Sequence, residues 1–138
     1  MSLSYAKFLA IIKTKGEVMH FEIAENSKVD ESKPLIYAWD IIDRETGELK
    51  GRYVGKAMGG SGRPRKQYRR NVVRMLAGKR YRLAKPDAFR AIHVALGAAV
   101  TAGDRIVLSF LCNVADGEDI NKIERSYIQS HAPTLNRI

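Results

Sequence analysis

The sequence predicts an α+β fold: a small, mainly antiparallel β-sheet flanked by helices. Three observations carry this. A chain of 138 residues has the size of one domain, and its 45% apolar content is that of a packed globule. Segments of alternating, β-branched and aromatic character interleave with segments whose apolar residues recur every three or four positions. Two of the strand-like segments are joined by turn chemistry, which makes them an antiparallel hairpin.

Residues 3–14 read as a short amphipathic helix with Leu3, Phe8, Leu9, Ile11 and Ile12 as its apolar members, ended by Lys15 and Gly16. Met19, Phe21 and Ile23 alternate with His20 and Glu22, the pattern of a strand. Residues 25–34 are polar and close on Pro34, so they form a loop. Residues 1–34 are thus expected to be an N-terminal extension packed on a domain spanning 35–138. Leu35 to Ile42 is a strand, with Tyr37, Trp39 and Ile41 on one face. Asp43 to Glu48 supplies the turn, and Arg52 to Ala57 returns. Gly59 to Gly62 is a flexible connection without the Gly-Lys-Ser/Thr ending of a nucleotide-phosphate loop. A helix starts near Pro64 and stops at Gly78, with Tyr68, Val72, Met75 and Leu76 as its apolar stripe. A second runs from about Ala88 to Ala102, capped by Asp87 and ended by Gly103, with Phe89, Ile92, Leu96 and Val100 facing the core. His93, at the edge of that stripe, reads as a hydrogen-bonded structural residue. Ile106 to Val114 is a buried strand and Ile120 to Gln129 the last helix.

The net charge of +9 is unevenly spread. Residues 49–86 hold thirteen Lys or Arg and no acid, whereas the rest of the chain has a net charge of −4. Such concentration suits a polyanion, because each neutralised phosphate releases counterions. Lys56, Lys66, Arg69, Arg70 and Arg74 are the expected nucleic-acid contacts. The single cysteine, Cys112, lies in an apolar run and reads as a buried structural thiol; it favours a reducing, cytoplasmic setting. The longest N-terminal apolar run, Phe8 to Ile12, is too short for a membrane span.

On the last helix, Ile120, Ile123, Tyr127 and Ile128 share one face at about 100° per residue, and Glu124 projects into it. A carboxylate in apolar surroundings is costly unless it is paired or holds a metal. Both a salt bridge to the basic segment and a metal-ligand role answer that need.

Leu35-Ile36-Tyr37 and Tyr53-Val54-Gly55 place two tyrosine tripeptides on the hairpin, 16 positions apart from Tyr37 to Tyr53. An arginine-rich helix follows, and Glu124 precedes Asn136 by twelve residues around a His131-Ala132-Pro133 turn. Over residues 35–136 this combination resembles the GIY-YIG nuclease family, and within it the incision domain of bacterial nucleotide excision repair, which has a similar Tyr-Val-Gly-Lys-Ala segment. Leu35 stands where the family has its first glycine, and the connection between the tripeptides is longer than usual. Either Arg63, by counting from Gly55, or Arg65, by helical proximity to Tyr68, takes the place of the family's arginine.

The resemblance implies a GIY-YIG endonuclease-like fold and a metal-dependent DNA endonuclease. Glu124 would bind one divalent ion, Mg²⁺ or Mn²⁺, which needs few protein oxygens. Tyr53 would activate the attacking water, with Lys56 and Arg63 as cationic neighbours lowering its pKa. Arg63 or Arg65 would stabilise charge on the phosphate. Tyr37 and Tyr68 would hydrogen-bond phosphate or water, and Asn136 would fix the phosphate or support the site. The partner would be DNA, including branched or damaged DNA, and no membrane; monomer and dimer both remain open. A non-catalytic nucleic-acid-binding module retaining the fold is the alternative, and an RNA-binding protein with coincidental spacing a third.

Overall fold

The computed structural model describes residues 10–14, 17–24, 28–79 and 90–137. Five strands form one mixed sheet in the order β1-β2-β5-β3-β4. They are β1 (Ala10–Thr14), β2 (Glu17–Ile23), β3 (Leu35–Ile42), β4 (Leu49–Ala57) and β5 (Arg105–Asn113). All neighbours pair antiparallel except β2 and β5, which run parallel. A wide π-helical turn, Arg63–Gln67, leads into α1 (Tyr68–Leu76). Then come α2 (Ala91–Ala102), α3 (Ile120–His131) and a closing 3₁₀ turn, Thr134–Arg137. The architecture is α+β, with helices on both faces of the sheet.

Strand alternation decides which helix meets which face. Leu35, Tyr37, Trp39 and Ile41 of β3 cluster with Tyr68 and Val72 of α1 and Ile92, Leu96 and Val100 of α2. Ile36 and Ala38, together with Val54 and Val114, meet Ile120, Ile123, Tyr127 and Ile128 of α3. Because both faces of β3 are covered, all its residues but Ile42 are buried, and it forms the centre of the molecule. The β3–β4 turn is closed by Asp43, whose Oδ1 accepts from the amides of Glu45 and Thr46, both at 2.9 Å.

Three expectations need correction. Ala10–Thr14 is a strand, not the end of a helix; residues 1–9, 15 and 16 lie outside the described residues. Ile11, Ile12 and Thr14 are β-branched and stiff at χ1, and pairing with β2 outweighs a short helical stripe. β2 in turn pairs with β5, so the expected N-terminal extension, residues 1–34, adds to the sheet of the 35–138 domain. The described part of α2 begins at Ala91 with Arg90 at its N-cap; Asp87, Ala88 and Phe89 lie outside the described residues. The terminal helix continues two residues beyond Gln129, to His131, and ends at Ala132 in the left-handed region at φ 44°. No helix among the described residues is long and apolar enough to cross a membrane.

Candidate active site

The β3–β4 register sets Tyr37 opposite Gly55 and Trp39 opposite Tyr53. The Tyr37 ring lies flat over Gly55: a Cβ there would sit 2.5 Å from Tyr37 Cζ and 2.6 Å from its Oη. Glycine at the third position of the second tripeptide is therefore a packing requirement of the first tripeptide's tyrosine. From this position Tyr37 Oη meets Tyr68 Oη at 2.6 Å. Both tyrosines are 1% exposed.

Tyr68 is the hub. Its ring packs against Tyr37, Trp39, Tyr53 and His93, with centroids between 5.5 and 6.5 Å away. Arg90, at the head of α2, lays its guanidinium 5.4 Å from the Tyr68 centroid and donates from Nη2 to Tyr68 Oη at 2.5 Å. His93 is buried one turn into α2; its Nδ1 accepts from the Arg90 amide at 3.1 Å, capping the helix, and its Nε2 lies 3.4 Å from the Asn71 amide of α1. Since Nδ1 accepts, the neutral ring carries its proton on Nε2, and the contact with Asn71 is a hydrogen bond when that side-chain amide turns its Oδ1 to the ring. Burial and the nearby charges of Arg90 and Arg63 push the His93 pKa down to about 4.

The phenols are held protonated. Burial, reinforced by Tyr68, raises Tyr37 well above the ordinary tyrosine range, and Arg63 opposes this only in part. Tyr53 is half-buried, and its phenol is pushed up to about 12. Burial is the largest cause, then Tyr68; Arg90 pulls the other way and the charge of Glu124 adds to the rise. The cation that favours a Tyr53 phenolate is thus Arg90, not the expected Lys56 or Arg63. Lys56 turns to α3, where Nζ donates to Asn121 Oδ1 and lies 3.9 Å from Glu124 Oε1.

Glu124 sits where the face of α3 approaches β4, with a side chain 19% exposed. A hard divalent cation that keeps most of its waters needs no more than one protein carboxylate. Among the described residues there is no group of three or more His, Cys, Asp or Glu that could hold a metal. Glu124 is a candidate lone anchor: at 3.9 Å its contact with Lys56 is loose, but α3 packs on the face of the sheet opposite the tyrosine cluster, so the two meet only across the edge strand β4.

The remaining expected residues divide. Arg63, exposed at the start of the π-helical turn, acts electrostatically on both Tyr37 and His93 and belongs to the cluster. Arg65 does not: Nε and Nη2 donate to Glu31 at 2.5 and 3.0 Å, and its guanidinium lies over Phe110. Three-residue proximity to Tyr68 placed Arg65 on the wrong side, because the wide first turn rotates it toward the 28–34 loop. Asn136 closes on β4: its Oδ1 accepts from the Val54 amide at 2.7 Å, and its Nδ2 donates to the Val54 carbonyl at 2.8 Å. β4 is an edge strand, so Asn136 satisfies backbone groups that no further strand covers. It supports the site, and Nδ2 keeps a second N–H beyond the one given to Val54. Tyr37 and Tyr68, both buried and bonded to each other, likewise shape the site from beneath. Lys66 and Arg70 are exposed, and Arg69 and Arg74 half-buried, along α1.

Two openings adjoin the cluster. One of about 250 Å³ is lined by Tyr53, Arg90, Ala91, Ile92, Leu135 and Asn136. The other, about 50 Å³, lies between Arg63, Tyr68, Asn71, Arg90 and His93. Arg90 borders both, and sequence reasoning missed it. It stands alone before an apolar helix, and no spacing links it to tyrosines on other elements. No protein-family model matches the chain, and no curated protein or solved structure matches it.

Proposed function

We propose that the chain is a metal-dependent DNA endonuclease of the GIY-YIG type, hydrolysing phosphodiester bonds at a one-metal site anchored by Glu124. The observation that carries this reading is convergence. Tyr37 of β3, Tyr53 of β4, Tyr68 of α1 and Arg63 form one cluster, and Glu124 of α3, from the other face of the sheet, comes within 3.9 Å of Lys56 on β4, the edge strand that also carries Tyr53. Coincidental motif spacing predicts no such meeting.

In this reading the substrate phosphate enters beside Tyr53. Attack by water forms a new P–O bond as the bond to the leaving sugar oxygen breaks. Tyr53, protonated at neutral pH, orients that water through its phenol oxygen rather than acting as a ready phenolate base. Arg63 places positive charge at the non-bridging oxygens, where negative charge grows in the transition state. Glu124 would hold the divalent ion, which would supply Lewis-acid charge at the scissile phosphate. Tyr37, Tyr68 and Asn136 keep the hairpin and its tyrosine in position.

A second reading, a nucleic-acid-binding module that keeps the fold without cutting, draws on the Tyr53 phenol held up at about 12 and on the Lys56 ammonium beside Glu124. The two separate on supercoiled plasmid with Mg²⁺ or Mn²⁺. The nuclease reading expects nicking that falls at least about 100-fold in Glu124→Gln, with DNA binding retained. Intact binding without nicking by the wild-type chain, across supercoiled, single-stranded and branched DNA, selects the binding module. Selective binding of RNA counts against both.

A further inference from the structure

Several cations of this fold are paired with acids. Lys50, Arg52, Arg65 and Arg105 each bridge a carboxylate: Asp104 at 2.7 Å, Asp40 at 2.6 Å, Glu31 at 2.5 Å and Glu22 at 2.6 Å. Arg90 forms no ion pair among the described residues. Its guanidinium is fixed instead by a phenol, with Nη2 on Tyr68 Oη at 2.5 Å and the plane held near the Tyr68 ring. It is solvent-exposed, and it borders both the opening beside Tyr53 and the smaller one that it shares with Arg63. Two guanidinium groups therefore flank one concave surface with no acid lining it. The buried imidazole between them is kept neutral, so it adds no charge of its own. Like charges held together without a counter-charge are relieved by an anion, and a guanidinium anchored through one nitrogen keeps its other donors for one.

The geometry points to Arg90 as a second phosphate-contacting residue of this site, meeting the DNA backbone where the opening beside Tyr53 adjoins the one that it shares with Arg63. The inference takes its substrate class from the endonuclease reading. Tyr68 is the positioning residue: its hydroxyl, itself bonded to Tyr37, sets where the guanidinium points. The head of α2 thereby becomes part of a surface otherwise built from the hairpin and α1.

The test is the binding of a short fluorescent DNA duplex, without divalent metal, across a salt series. Arg90→Gln keeps a donor for Tyr68 but loses the charge. It is expected to weaken binding about tenfold and to lower the slope of log affinity against log salt by about 1. Arg90→Lys is expected to keep the wild-type slope. A wild-type slope in Arg90→Gln overturns the inference. Should the Gln variant not fold, wild-type protein treated with an arginine-selective dicarbonyl reagent answers the question. Protection of Arg90 by bound duplex supports the assignment, and unchanged reactivity there overturns it. Binding that depends on Arg90 without nicking in Mg²⁺ or Mn²⁺ removes the endonuclease reading and leaves Arg90 standing. Nicking with a slope indifferent to Arg90 does the reverse.

Discussion

Tyr37 and Tyr68 share one hydrogen bond but depend on it unequally. Tyr37 Oη, in a residue 1% exposed, has Tyr68 as its hydrogen-bond partner, whereas Tyr68 Oη also receives Arg90. Removing the Tyr37 hydroxyl leaves Tyr68 satisfied. Removing the Tyr68 hydroxyl strands a buried phenol and frees the solvent-exposed Arg90 guanidinium from its anchor. A buried polar group left without a partner costs about 1–3 kcal/mol, against a net contribution near 1 kcal/mol for an ordinary hydrogen bond. Tyr68→Phe is therefore expected to destabilise by about 2 kcal/mol and Tyr37→Phe by about 1 kcal/mol or less. Urea midpoints of the two variants check the order, and equal losses would show that the Arg90 contact contributes nothing. Gly55 belongs to the same unit. The sequence displays it only as the third letter of a tripeptide; its reason, the Tyr37 ring across the strand, exists only once the register is set.

At the level of elements, His93 couples α2 to α1 through the Arg90 amide and the Asn71 side chain, and it does so as a neutral ring. Its folded pKa, near 4, lies below the ordinary 6.5. Between those values the unfolded chain binds the proton that the folded chain refuses, so stability falls as pH drops. The full span corresponds to about 3 kcal/mol, present above pH 6.5 and lost progressively toward pH 4. Denaturant titrations between pH 7 and 4.5 are expected to show this slope in the wild-type protein and to lose it in His93→Gln; equal slopes would mean that His93 is not buried as a neutral ring. The reading of His93 as structural came from its place on the apolar stripe of α2, a local pattern. Such patterns also gave the bounds of β3 and the apolar face of α3, because alternation and helical periodicity are written directly in side-chain order. Failure came where a partner decides. Ala10–Thr14 becomes a strand through β2, and Arg65 is claimed by Glu31, 34 positions away. Arg90 gains its place from α2 docking against Tyr68. None of these is encoded in local spacing.

For the whole molecule, the question is how much of the basic segment remains for a partner. In sequence, residues 49–86 carry no acid, yet acids from elsewhere reach in: Asp104 takes Lys50, Asp40 takes Arg52, and Glu31 takes Arg65. These three cations lock the hairpin and the start of α1 to the sheet, so their charge is spent on the fold. Lys66, Arg69 and Arg70 make no ion pair among the described residues, and they follow Arg63 along the π-helical turn and the start of α1. Sequence counting could not separate the two sets, since every one of the pairing acids lies outside the segment. The consequence is a division of labour that substitution can expose. Replacing Lys66, Arg69 and Arg70 together with Gln is expected to leave stability within about 0.5 kcal/mol of wild type, since Lys66 and Arg70 are exposed and half-buried Arg69 keeps most of its stem as Gln. The same variant is expected to lower the salt slope of DNA binding by roughly 3, near one unit for each lost phosphate contact. Arg65→Gln is expected to behave oppositely, losing stability by leaving Glu31 without its bidentate partner while keeping the slope. Melting curves and anisotropy titrations on the two variants read both quantities. If the triple variant binds with an unchanged slope, α1 does not face the nucleic acid, and the polyanion surface must be sought elsewhere on the chain.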